Sequence, residues 1–193
     1  MRSELQQTIP GNPGSSFIVA LMFIIRNRFN LPVPNALQDE IFTKGIVRSP
    51  AVFFTGALHE FSRIFKVSLH VISDNKVLLQ RGIASCTSNQ ISFAYSRLDE
   101  RKIETLLDQY GFIVLSIDLS VVHMGYSDYH FVCLYKQNQT TYLFDPKYSK
   151  TMIIDDDSLE DMVFSIKRSL NDARICFLIK QEGKYFTTRG QRA

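Results

Sequence analysis

Nine consecutive apolar residues, Phe17 to Ile25, followed at once by Arg26-Asn-Arg28, constrain this chain more than any other segment. A helix over Phe17 to Arg28 is apolar on nearly every face, so it must be enclosed by other elements on several sides. The run is too short to span a bilayer, lacks a basic cluster before it and has no small-residue cleavage motif after it. It therefore reads as the central buried helix of a domain. Ser15 or Ser16 opens it as N-cap, and Leu31-Pro-Val-Pro34 ends it by proline geometry. Upstream, Pro10, Gly11, Pro13 and Gly14 break helix and strand alike and make residues 1–15 an extended lead-in.

With 193 residues, 45% of them hydrophobic, the chain can bury one full core, so residues 1–193 read as a single domain with a flexible tail at 181–193. The net charge of +3 comes from 22 basic and 19 acidic residues spread along the chain, which leaves no electrostatic footprint for nucleic acid. Lys184, Arg189 and Arg192 belong to the solvated tail. Cys86, Cys133 and Cys176 have neither disulfide-framework nor zinc spacing, which points to a reducing compartment. Cys133 and Cys176 sit in apolar runs and read as buried small hydrophobes; the polar stretch Ser85-Cys-Thr-Ser-Asn89 leaves exposure open to Cys86. The run Asp155-Asp-Asp157 precedes a helix and complements its dipole; a metal site would need alternating oxygen ligands and a Gly turn. Neither a cofactor nor a metal is implied, and neither nucleic acid nor membrane is expected as a partner.

Asn35 to Thr43 has helical composition, and Pro50 starts a further helix whose stripe includes Phe53, Leu58, Phe61, Ile64 and Phe65. Val67 to Ile72 alternates as a strand, and Lys76 to Leu79 and Ile91 to Tyr95 read as short strands. Leu98 to Tyr110 is an amphipathic helix stopped by Gly111. Phe112 to Leu119 is a strand, Ser158 to Asn171 a helix and Arg174 to Lys180 a closing strand. Helices come early and antiparallel strands late, an α+β layering with the buried N-terminal helix packed on an antiparallel sheet.

Tyr129 to Tyr135 and Thr141 to Pro146 are apolar and β-branched, separated by the polar break Lys136-Gln-Asn-Gln-Thr140, and read as a β-hairpin. If Tyr135 faces Thr141 or its neighbour, His130 and Asp145 share the open end of the hairpin within one pair of each other. A carboxylate beside an imidazole fixes its tautomer and stabilises the imidazolium, as a base that activates a nucleophile requires. The N-terminus of the buried helix, at Ser16, is suited to hold that nucleophile, because partial positive charge and unpaired amides gather there. Taken singly, Ser16 is a helix cap and Asp145-Pro146 a strand terminator; the catalytic reading rests on their combination. His123, in the loop before the hairpin beside Gly125 and Tyr126, is the competing base. His59 and His70 read as structural.

In these features the chain resembles the papain-like cysteine peptidases, in particular the bacterial double-glycine leader peptidase-like (peptidase C39-like) group. The resemblance rests on a nucleophile position opening a buried helix, with Ala20 and Leu21 following it, and on the His130 to Pro146 block. It implies a papain-like fold, acyl transfer on a peptide or protein substrate, and a triad of position 16, His130 and Asp145. It also implies an oxyanion site made by the Ser16 amide with a side-chain amide, for which Gln7 and Asn12 both qualify. Where the family carries cysteine this chain has Ser16. Three readings follow: a cysteine exchanged for serine, a natural serine hydrolase or transferase, or a retired site that binds a peptide or partner protein. An acyltransferase loaded from a carrier-protein thioester is a further alternative. Such an enzyme would act in the cytoplasm or be secreted without a cleaved signal peptide as an injected effector.

Overall fold

The computed structural model describes residues 16–34, 36–49, 53–118, 129–155, 157–159, 161 and 174–180. Its first helix, α1 (Ser16–Phe29), is buried at every position from Ser16 to Ile25. Asn30 closes it in the left-handed region at φ 51°, ahead of the two prolines. Helices α2 (Ala36–Arg48) and α3 (Phe53–Phe65) follow, and Lys66 at φ 52° turns the chain out of α3.

Next come β1 (Ser68–Ser73), α4 (Lys76–Ser85) and β2 (Ile91–Tyr95). This unit corrects two sequence expectations at once. Lys76 to Leu79 opens a helix, because the Asn75 side chain caps it by accepting the Leu78 amide at 3.0 Å. A helical crossover lets the next strand return in the same direction, so β2 pairs with β1 in parallel and the sheet is mixed, where the sequence reading has an antiparallel one.

Helix α5 (Glu100–Tyr110) is capped by Asp99, which accepts the Lys102 amide, and ends at Gly111 with φ 75°, as the sequence indicates. Strands β3 (Phe112–Asp118), β4 (Tyr129–Gln137), β5 (Thr140–Asp145) and β6 (Lys150–Ile154) then form an antiparallel meander, and β7 (Ile175–Lys180) inserts between β1 and β3. The sheet has seven strands in the order β2-β1-β7-β3-β4-β5-β6 and stays open at both edges. The architecture is thus α+β with helices on both faces of a mixed sheet.

The β4–β5 hairpin differs from expectation at its tip. The strands run through the polar residues to Gln137 and from Thr140, leaving a two-residue turn in which Asn138 and Gln139 both have positive φ, 51° and 63°. This is the left-handed pair of a type I′ turn, whose twist matches that of the strands. Strand β6 has no counterpart in the sequence reading, and for the Ser158 to Asn171 helix only residues 157–159 and 161 are described, all helical. Asp155 accepts the Ser158 amide at 2.8 Å, a capping bond at the helix start where the sequence expects acidic residues to complement the dipole.

Side-chain alternation along the strands divides the core. Leu69, Val71, Val114, Cys133, Phe144, Phe177 and Ile179 face α1 and the helices beside it. Ile113, Leu115, Ile117, Val132, Leu134, Leu143, Cys176 and Leu178 face α5. Central β7 is covered on both faces, which is why its residues Ile175 to Ile179 are apolar without interruption. On the α1 side, Phe17 meets Phe131 and Phe177 with ring centroids 5.7 and 5.5 Å apart, and Phe23 stacks on Phe144 at 4.1 Å. These contacts fix α1 lengthwise along β4, so its N-terminus lies at the start of that strand. Among the described residues no helix is long and apolar enough to cross a membrane.

Candidate active site

Three residues remote in sequence converge at the start of β4. Ser16 is the first residue of α1 and is 2% exposed. Its Oγ accepts the backbone N–H of Phe131 at 3.0 Å. Phe131 lies beyond the last β4–β5 pair, Cys133 with Phe144. Standard bond lengths then hold the hydroxyl within roughly 6 Å of the His130 Cα. The helix start supplies the partial positive charge expected at a nucleophile position.

His130 and Asp145 are 2% and 0% exposed, and His130 Nε2 lies 3.1 Å from Asp145 Oδ1. The pairing is diagonal rather than direct. The observed register, Tyr135 with Tyr142, sets Asp145 level with Val132, so the carboxylate reaches a ring two residues along the same face of the sheet. Asp145 Oδ1 also accepts the Lys147 amide at 2.8 Å, a local bond in the turn that follows β5 from Pro146, which fixes the carboxylate at the strand end. Its Oδ2 is buried without a hydrogen-bond partner.

Alternation turns His130, with Val132 and Leu134, towards the α5 side, whereas Phe131 turns to α1. Ser16 therefore approaches the strand at its backbone, and the ring meets the carboxylate on the other side. The Phe131 amide had no sequence signal, because a backbone donor is chosen by where the helix start docks. A hydrogen bond from that amide stabilises an oxyanion or thiolate at position 16.

Gln7, Asn12 and His123 lie outside the described residues. His59 is in α3, and His70 in β1 places Nδ1 2.7 Å from Ser92 Oγ, a cross-strand structural contact. Cys133 and Cys176 are buried, as their sequence contexts indicate, whereas Cys86 is half-buried rather than exposed because it packs against the edge of the core. Burial, with Cys176 nearby, pushes the Cys133 thiol far up, and burial raises Cys176 as well, so neither forms a thiolate at neutral pH. Among the described residues no group of three or more His, Cys, Asp or Glu side chains is placed to hold a metal ion. No family model, curated protein or solved structure matches the chain.

Proposed function

We propose that this chain is a papain-like, cysteine peptidase-type acyl-transfer enzyme acting on an amide bond of a peptide or protein, with serine at the nucleophile position. One observation carries the reading: Ser16, His130 and Asp145 meet at the start of β4, buried, with the ring on the carboxylate and the hydroxyl on the next amide. In the proposed cycle position 16 attacks the scissile carbonyl, and its proton passes to His130. Asp145 stabilises the imidazolium, which then protonates the leaving amine. The Ser16 amide at the helix start, with Gln7 or Asn12, would receive the oxyanion. Water or an amine would release the acyl group.

A hydroxyl is a far weaker nucleophile than a thiolate, so serine at this position favours low turnover. That same observation supports a second reading, a retired papain-like groove that holds a peptide or partner protein. Ser16→Cys separates them. The acyl-transfer reading expects a thiol that iodoacetamide alkylates at mildly acidic pH, and expects His130→Ala in that background to remove the reactivity. Buried Cys133 and Cys176 stay silent, and parallel labelling of the parent chain accounts for Cys86. If Ser16→Cys takes no label while Cys86 does, the nucleophile is misassigned. A covalent mass increase with acyl thioesters would identify the acyltransferase variant.

A further inference from the structure

On the sheet face that α5 occupies, the corner formed by β1, β2 and the end of β7 carries polar side chains where the rest of the face is apolar. Strand alternation puts Ser68, His70 and Ile72 of β1 on this face, between Lys180, Leu178 and Cys176 of β7 and Ser92 of β2. Helix α5 packs over β3, β4 and β7, whereas α3 and α4 cover β1 and β2 from the opposite face. His70, Ser92 and Lys180 are accordingly half-buried, on a shelf beside α5. The shelf stands three strands from His130, at least about 14 Å across the sheet.

The hydrogen bonds fix which protons are committed. Ser92 Oγ donates to Leu69 O at 3.3 Å, so the 2.7 Å contact between that oxygen and His70 Nδ1 is donated by the ring. Lys180 reaches across β1 to the same oxygen, with Nζ at 3.5 Å. His70 Nε2 has no hydrogen-bond partner among the described residues and is open to solvent. Lys102 overhangs the corner from α5, near enough for its charge to act on both the His70 ring and the Cys176 thiol.

The carboxylates that could neutralise these two ammonium groups are engaged or face away. Asp99 gives Oδ1 to the Lys102 amide and Oδ2 to Arg97, while Asp74 pairs with Arg174 and Asp108 with Lys136. Glu100 and Glu104 stand two residues to either side of Lys102, on the other flank of α5. Among the described residues neither Lys102 nor Lys180 has a carboxylate partner. Burial, and then the charge of Lys180, hold the His70 pKa below its ordinary value; a hydrogen bond with Ser92 opposes them and Lys102 adds to them. Both charges that act on the ring are positive, which repels a cation and leaves a repulsion that a bound anion would relieve.

We propose that this shelf binds a phosphate group, free or as a phosphomonoester, between the ammonium groups of Lys102 and Lys180 and on the Nε2–H of the His70 imidazolium. The Nδ1 bond to Ser92 holds the ring so that Nε2 faces the ligand, and the anion draws onto Nε2 the proton that it lacks in the neutral ring. This site goes beyond the acyl-transfer reading and stands without it.

The test is calorimetric titration of the full chain with inorganic phosphate and, separately, with glycerol 3-phosphate, at constant ionic strength held with chloride. Saturable binding is expected, weakened about tenfold by Lys180→Gln and about fivefold by Lys102→Gln. Lys150→Gln removes the same charge from β6, at the opposite edge of the sheet, and should leave binding unchanged. Tighter binding of glycerol 3-phosphate identifies an esterified ligand, and tighter binding of phosphate the free ion. Sulfate, which does not itself titrate, isolates the ring: its affinity should rise as the pH falls from about 8 to about 6, because the bound anion favours the imidazolium. Cys176, on the same face, is pushed above that range by burial. The proposal is overturned if neither phosphate binds above chloride, if Lys180→Gln and Lys102→Gln both bind as the parent does, if Lys150→Gln weakens binding as much as they do, or if sulfate affinity is the same at both ends of the pH range.

Discussion

Replacing Asp145 by alanine and, separately, by asparagine tests whether the carboxylate acts as a buried acceptor or as a charge. Alanine removes the partner of two hydrogen bonds, from the His130 ring at 3.1 Å and the Lys147 amide at 2.8 Å. The ring is 2% exposed, so its Nε2 cannot turn to water instead. Leaving the buried Nε2–H without its acceptor costs about 2–3 kcal/mol and the Lys147 amide about 1 kcal/mol more, while removing the unpartnered Oδ2 offsets about 1 kcal/mol. A net loss of about 2–3 kcal/mol follows. Asparagine keeps the Oδ1 acceptor and exchanges one unpaired buried atom for another while discarding a buried charge, so its cost should stay within about 1 kcal/mol. Urea unfolding followed by far-ultraviolet circular dichroism measures both, since the chain has no tryptophan. Reactivity should separate from stability when Asp145→Asn is placed in the Ser16→Cys background. The neutral amide does not stabilise imidazolium, so alkylation should slow about tenfold or more while the fold persists. Equal destabilisation by the two substitutions, or unchanged alkylation with asparagine, would refute the assigned role.

Two further substitutions probe the frame around the site. Gln139→Gly should stabilise by about 1 kcal/mol and raise Tm by about 2–4 °C in thermal unfolding, because Gln139 holds φ 63° in a type I′ turn that favours glycine there. Gly56→Ala gains about 1 kcal/mol of helix propensity but forces a methyl into the Gly45 carbonyl, so a net loss of about 2 kcal/mol is expected in urea unfolding. Stabilisation by that alanine would show that α2 and α3 do not touch at this crossing.

Elements that bury a continuous stripe were legible. α1, α5 and β7 announce themselves because every position, or one face at helical spacing, must leave water. Elements at the periphery were not. Strand β6 exposes most of its length, so no alternation marks it, and α4 buries only Leu79 and Gly82. The hairpin tip looked like a five-residue break because Lys136, Gln137 and Thr140 extend past the core, where pairing needs no apolar side chains.

By itself the sequence determined that the helix beginning near Ser16 is enclosed, and that His130 and Asp145 share one end of a hairpin, since burial and strand pairing write themselves into residue type. The diagonal reach of the carboxylate, the docking of Ser16 on the Phe131 amide and the close approach of α2 to α3 at Gly45 and Gly56 were decided by tertiary packing. Each depends on the offset between elements far apart in the chain. Rings such as Phe17, Phe131 and Phe177 set such offsets only once they interlock.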